Sequence, residues 1–232
     1  MSYSRLALVL AAPLLLMSCL LTPGKFVSTL DIKSDRSFTF TYAGEVVLLD
    51  PAATMSSSSG TGANEDGEDD GTKPARAKPI PEPETAERIA ERRSQAETLA
   101  KEAGYRSVEY LGDNKFRVDY AVSGKLDRGF VYPINTDLDS IIPWIAVEIR
   151  RDGTARVKAM AFGEKDSSGM SEASPTADAA ESREGTFTFT TDAELVMHNN
   201  EEGLAPGPGK KIVWTVTPTS KTVPTAVVRF AN

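Results

Sequence analysis

Outside two stretches rich in Gly, Ser and Pro, apolar and polar residues alternate at period two in several short runs, the signature of strands with one buried face. Lys25 to Ile32 runs to a turn at Lys33-Ser34-Asp35-Arg36, and Ser37 to Asp50 returns with Phe38, Phe40 and Tyr42 on one face. Val108 and Tyr110, a turn at Gly112-Asp113-Asn114, and Phe116, Val118, Tyr120 and Val122 repeat that grammar. A third hairpin pairs Ile145 to Ile149 with Thr154 to Ala161 around Asp152-Gly153, a preferred two-residue turn. The last strands are predicted as Thr186 to Thr191 with Glu194 to Met197, then Lys211 to Thr217 and Thr225 to Phe230.

One helix interrupts these strands, from about Thr85 to Ala103. Ile89, Ala96, Leu99, Ala100 and Ala103 make an apolar stripe among Glu, Arg and Lys, and Gly104 is placed to end it. An alanine-rich stripe lets a helix lie close against a sheet. The predicted fold class is therefore α+β: a mostly antiparallel sheet built from hairpins, one amphipathic helix packed on it, and two long disordered insertions.

The N-terminus follows a different pattern. Arg5 and the free amine precede a mostly apolar run from Leu6 to Met17. That run is shorter than the roughly 20 residues of a spanning helix and has the length of a secretory signal. Leu16-Met17-Ser18-Cys19 at its end resembles the lipobox of bacterial lipoproteins, although Met17 is less usual there than a small residue. The resemblance implies diacylglycerol in thioether linkage to Cys19, cleavage after Ser18, and acylation of the new amine. Cys19 is the single cysteine, so no internal disulfide forms and an exported thiol otherwise lacks a reason to be there. Leu20 follows it, not the Asp that marks inner-membrane retention in enteric bacteria, which favours the periplasmic face of the outer membrane.

Composition then divides what remains. Pro51 to Pro83 is a tract of Ser, Gly, Pro and acid with almost nothing to bury, and Gly163 to Gly185 is similar. Neither offsets the entropy of ordering a backbone, so both are predicted to be flexible. The expected organisation is a signal peptide over 1–18 and one α+β domain in three pieces, 19–50, 84–162 and 186–232. The acidic insertions 51–83 and 163–185 separate those pieces. The chain after Ser18 carries 25 Lys plus Arg against 33 Asp plus Glu, and the two tracts hold 12 of those acids against 5 basic residues. The folded part is nearly neutral and has no basic run for nucleic acid.

Candidate chemistry is sparse. His198, the single histidine, stands at a strand end in Met197-His198-Asn199-Asn200, without a G-x-S-x-G or S-x-x-K nucleophile motif to serve. It reads as a turn residue. Asn135, Asp137 and Asp139 space oxygen ligands two apart, but the glycine and distal Glu of a calcium loop are missing, so a polar loop is the simpler reading. No catalytic residue, cofactor site or metal site is expected, and the chain is read as a non-enzyme. Phe38, Phe40, Tyr42, Phe116, Tyr120, Trp144, Phe187, Phe189 and Trp214 fall mostly on alternate strand positions. They make a core, or a groove for an acyl chain if a curved sheet is left unfilled.

A lipobox cysteine, a hairpin directly after it, a helix before Gly104-Tyr105, and a late Val213-Trp214 with Pro224 and Val227 resemble exported lipoproteins of the LppM type. The resemblance implies a small α+β envelope domain that binds lipid or glycolipid, with no catalytic motif to carry over. Asp35-Arg36 replaces the Asp-Gly such proteins often have in the first turn, and the acidic tracts are extra. The alternative is an uncharacterised family of proteobacterial lipoproteins. The functional expectation is a lipid-anchored, non-catalytic binding or interaction module of the cell envelope, for a lipid or a partner protein. The alternatives are a structural or assembly component of the envelope and, less favoured, a carboxylate-based hydrolase.

Overall fold

The computed structural model describes residues 20–49, 84–133, 143–163, 182–207 and 209–230. Cys19, the signal segment, the tract 51–83, most of the tract 163–185, and Asn135, Asp137 and Asp139 lie outside the described residues.

Strand β1 (Leu20–Ile32) and strand β2 (Ser37–Leu49) form the first hairpin in antiparallel register, with Leu30 opposite Phe40 and Ile32 opposite Phe38. The turn is held by Asp35, whose carboxylate accepts from the Ser37 amide at 2.9 Å and the Ser37 hydroxyl at 2.6 Å. Arg36 takes the left-handed conformation, φ 68°, that glycine would adopt freely. Its guanidinium lies 5.1 Å above the ring of Phe230, a cation–π contact that offsets part of that strain.

After helix α1 (Ala86–Leu99) come β3 (Tyr105–Gly112) and β4 (Lys115–Lys125), the second hairpin, followed by the short β5 (Phe130–Tyr132). The third hairpin is β6 (Ile145–Ile149) with β7 (Thr154–Lys158), and a single 3-10 turn, Met160–Phe162, ends it. The last strands are β8 (Glu184–Thr191), β9 (Glu194–His198), β10 (Lys210–Val216) and β11 (Thr225–Arg229).

These strands make two sheets, not one. The larger has the order β10-β8-β1-β2-β4-β3, the smaller β5-β6-β7-β11-β9. Their apolar faces meet: Phe40 of β2 lies 5.3 Å from Phe130 and 4.9 Å from Tyr132 of β5, and Tyr42 lies 5.3 Å from Trp144. One contiguous core joins the two sheets. The second sheet, rather than the helix, thus buries most of the aromatic face that the periodicity marks out.

The sheets are mostly antiparallel, as expected, with one exception: β1 and β8 run parallel, Ser28 beside Phe187 and Leu30 beside Phe189. Two further expectations are corrected. Strands β8 and β9 do not pair with each other, because the chain passes from the larger sheet to the smaller at Thr191–Glu194. Ala193 in that crossing is buried and its amide donates to Thr191 Oγ1 at 3.0 Å, which fixes the change of direction. Finally, the end of the tract 163–185 is ordered. Arg183 is buried, donates to the carbonyls of Ala161, Gly163 and Ser220, and leads directly into β8.

Helix α1 begins at Thr85, whose hydroxyl accepts from the Arg88 amide at 3.3 Å, an N-cap. It ends at Leu99, several residues before Gly104, and the intervening turn leaves Ala103 exposed. Its inward face is Ile89, Arg92, Ala96, Leu99 and Ala100, of which only Ala96 is fully buried. An arginine within that stripe makes the helix less cleanly amphipathic than its alanines suggest. Gly104, with φ +93°, turns the chain into β3 where a side chain would strike the Tyr120 ring.

Candidate functional site

Strand lengths create the site. Strands β2 and β4 have 13 and 11 residues, whereas those of the second sheet have 3 to 5. The second sheet covers Phe38, Phe40 and Tyr42, and the far ends of β2 and β4 overhang it. Helix α1 covers that overhang with Ala96 and Leu99, which are too small to fill it, and an apolar cavity of about 160 Å³ remains.

The floor of the cavity is Val46 and Leu48 of β2 with Phe116 and Val118 of β4. Ala96, Leu99 and the stem of Gln95 form its roof, and Tyr132, Pro133 and Trp144 close the end toward the second sheet. Leu21, at the start of β1, completes the wall. Trp144 is 2% exposed, and its indole Nε1 donates to the Leu21 carbonyl at 3.1 Å, so the ring presents carbon to the cavity. Tyr105 is also part of the lining, and burial pushes its hydroxyl up to about 12. Burial also raises Tyr132 well above the usual tyrosine value. Both hydroxyls are neutral at physiological pH, and no Asp, Glu, Lys or Arg is among the lining residues. Such a wall can hold an apolar group out of water.

The aromatics singled out from the sequence divide between core and cavity. Phe40, Tyr42, Phe187 and Phe189 are fully buried core, while Phe116 and Trp144 line the cavity. His198 pairs with Ala226 at the end of β9, and its Nδ1 is buried without a hydrogen-bond partner. Among the described residues no three of His, Cys, Asp and Glu come together in a group able to hold a metal ion. Likewise, none of the described helices is long and apolar enough to cross a membrane. The cavity had no local signal in the sequence, since its walls come from β1, β2, α1, β3, β4, the end of β5 and the residues just after β5 and before β6.

No family model matches the chain, and neither does any curated protein. Among solved structures, it is similar to the folded domain of the Mycobacterium tuberculosis LppM protein, determined by NMR. The two are 12% identical over 92% of this chain and 93% of that one, with a TM-score of 0.33. A likeness of that degree assigns neither ligand nor function.

Proposed function

We propose that this chain is a lipid-anchored, non-catalytic binding module of the cell envelope, and that the cavity beneath α1 takes up a small apolar group. The observation that carries the reading is the cavity itself: about 160 Å³, walled by carbon and neutral hydroxyls, with Leu21 in its wall. Cys19, the lipidated residue in the lipobox reading, is two positions before Leu21. The anchor would hold the cavity near the lipid surface, at the periplasmic face of the outer membrane if Leu20 has the meaning it has in enteric bacteria. The end of an envelope lipid's acyl chain is the apolar group then within reach.

Magnitudes limit what the cavity does. A cavity of this size holds about six carbons, the volume of one benzene ring. Burying six methylenes is worth about 5 kcal/mol, against about 13 kcal/mol to withdraw a whole sixteen-carbon chain from a bilayer. The module therefore grips part of an apolar chain and does not extract lipids unaided. For an apolar segment offered from water, an affinity near the millimolar range follows from about 4 to 5 kcal/mol, which suffices only for a tethered protein at high local concentration.

The test is mass spectrometry of the protein purified from its native membrane, beside Cys19→Ser and Val118→Phe versions. The reading expects a product beginning at Cys19 with added acyl mass, and a co-purifying lipid that is lost in Val118→Phe although the anchor remains. An unmodified soluble product removes the anchor. Equal lipid in the cavity-filled protein removes the cavity's role.

A further inference from the structure

Four side chains in the wall of the cavity under α1 bear a polar atom: Gln95, Tyr105, Tyr132 and Trp144. Two of them are already committed. Trp144 Nε1 donates to the Leu21 carbonyl at 3.1 Å. The Gln95 amide is tied along its own helix, its oxygen accepting from Arg92 at 3.0 Å and its nitrogen donating to Glu91 at 3.3 Å. The hydroxyls of Tyr105 and Tyr132 remain, and neither has a hydrogen-bond partner among the described residues.

Tyr132 is 2% exposed. Its ring packs against Tyr120 at 4.7 Å, Phe40 at 4.9 Å, Tyr42 at 5.6 Å and Trp144 at 5.8 Å between centroids. The hydroxyl oxygen is nevertheless not sealed in, for it keeps surface that a water-sized group reaches. With aromatic rings packed around the side chain, the space that meets this oxygen is the cavity that Tyr132 lines.

Buried polar groups in native proteins are normally satisfied, and leaving one unpaired costs more than a made bond returns. A hydrocarbon that fills the cavity displaces water from the Tyr132 hydroxyl and puts nothing in its place. A ligand with an oxygen at the same depth takes up the bond. Burial keeps the phenol in its neutral form, so it is available as a donor. No Lys or Arg is among the lining residues to pair with a carboxylate or phosphate, so the accepting oxygen has to be a neutral one.

On the proposed function, in which the cavity takes up a small apolar group, we infer that Tyr132 selects among such groups. The preferred occupant carries one neutral accepting oxygen, as an alcohol, ketone or phenol does, and the Tyr132 hydroxyl donates to it. A plain acyl terminus still enters, with lower affinity for its size. A pocket of carbon alone separates a hydrocarbon from its oxygenated analogue weakly, whereas a buried hydrogen-bonding group rejects the analogue that lacks its partner.

The experiment is an NMR titration of the full chain, carrying ¹³C at tyrosine Cζ, in dodecylphosphocholine micelles. Benzene is the hydrocarbon probe, and phenol and cyclohexanone are the oxygenated ones. Affinities are compared between the parent protein and Tyr132→Phe, which keeps the ring and removes only the oxygen. Phenol and cyclohexanone should bind the variant about fivefold more weakly or worse, as loss of one neutral hydrogen bond implies, while benzene binds it as well as before or better. In the parent protein alone, cyclohexanone should move the Tyr132 Cζ signal further than benzene does, a readout that does not depend on how the variant folds. Palmitic and ω-hydroxypalmitic acids, added to the same micelles, separate the sources. Selection of the hydroxylated acid by the parent and not by Tyr132→Phe identifies a lipid terminus, and selection confined to phenol and cyclohexanone identifies a free small molecule; both support the inference. A cyclohexanone-to-benzene affinity ratio equal in parent and variant overturns it and leaves the cavity as a site for hydrocarbon. Failure of every probe to bind either protein removes the cavity's role, and the selection by Tyr132 with it.

Discussion

The carboxylate of Glu84 accepts a hydrogen bond from the hydroxyl of Tyr110, joining the residue ahead of the α1 N-cap to the far end of β3. The Asp113 amide adds a second bond to the same carboxylate at 3.2 Å. Helix α1 is fully buried at Ala96 alone, so this tie is one of the few polar constraints fixing the roof of the cavity in place.

That arrangement predicts a pH-dependent contribution with a definite sign. The Tyr110 hydrogen bond, aided by the Asp113 amide, holds the Glu84 carboxyl below its usual value. A carboxyl whose pKa is lower folded than unfolded stabilises the fold above the unfolded value, and the contribution is lost as pH falls through the folded value. Tyr110→Phe should lower unfolding free energy at neutral pH by about 1 kcal/mol or less, because the pair is only partly buried and solvent weakens it. The difference from the parent protein should vanish in acid, and urea titrations at both pH values check it. Hydrogen exchange of the α1 amides should quicken in the variant at neutral pH only.

A second prediction concerns two close approaches to β1. A side chain at Gly185 would place its Cβ 2.1 Å from the Phe26 carbonyl, and one at Gly44 would lie 2.5 Å from the Lys25 carbonyl. Both glycines flank the irregular stretch of β1 between Pro23 and Phe26, where the strand bends toward its neighbours. Gly185→Ala and Gly44→Ala should each destabilise by about 2 kcal/mol or more, since backbone cannot yield as a side chain can. Gly112→Ala is the comparison. It carries φ +94° but has open space around it, so only the conformational cost of about 1 kcal/mol applies. Denaturant midpoints that ranked the three equally would contradict this account.

The tyrosines supply a third. Tyr42, Tyr105, Tyr110, Tyr120 and Tyr132 are all raised above the ordinary value, in each case chiefly by burial, and Tyr105 reaches about 12. The Tyr42 hydroxyl is also committed to the Glu45 carbonyl at 2.7 Å. Above the unfolded value of about 10, an unfolded chain releases protons that the folded one retains, so stability falls as pH rises. Spectrophotometric titration should show little tyrosinate while the fold persists, then a steep rise coincident with loss of near-ultraviolet dichroism. A gradual titration centred near the ordinary value, with the fold intact, would contradict the burial.

Hairpins were legible in the sequence because alternation and turn chemistry are local. Ser37 to Leu49 and Lys115 to Lys125 declare their buried faces within a dozen residues. What local pattern conceals is which face meets which. Thr186–Thr191 and Glu194–Met197 read as a hairpin across Asp192-Ala193, yet Asp192 instead accepts from the Ser34 amide at 2.5 Å, and the two strands diverge into different sheets. The parallel partner of β1 is more than a hundred residues away, behind an acidic tract. Pro23 and Gly24 masked the first residues of β1, which begins at Leu20 and not at Lys25, and Arg183 read as one more charge in that tract although it is buried. The cavity was invisible for a related reason: it is a mismatch between the lengths of two sheets, a property no single segment carries.

The last prediction turns on Ala96. Its methyl group is 4% exposed and roofs the cavity between α1 and the floor made by Val46 and Val118. Ala96→Leu adds three carbons directed into about 160 Å³ of apolar space. Each methylene moved from water into a well-fitting site contributes about 0.8 kcal/mol, and imperfect fit takes back 1 kcal/mol or more. Leucine is also a strong helix former, so the helix itself loses little. Stability should therefore stay level or rise by about 1 kcal/mol, the reverse of the usual penalty for enlarging a buried alanine. Ala96→Asp, which would bring an unpaired charge to the same place, should destabilise by several kcal/mol. Hexanol, an apolar probe of about six carbons, should raise the melting temperature of the parent protein and not that of Ala96→Leu. If Ala96→Leu destabilises by as much as an overpacked core substitution does, the roof fits its floor more tightly than the cavity implies. If hexanol then stabilises neither protein, the space beneath α1 is a packing gap and not a binding site.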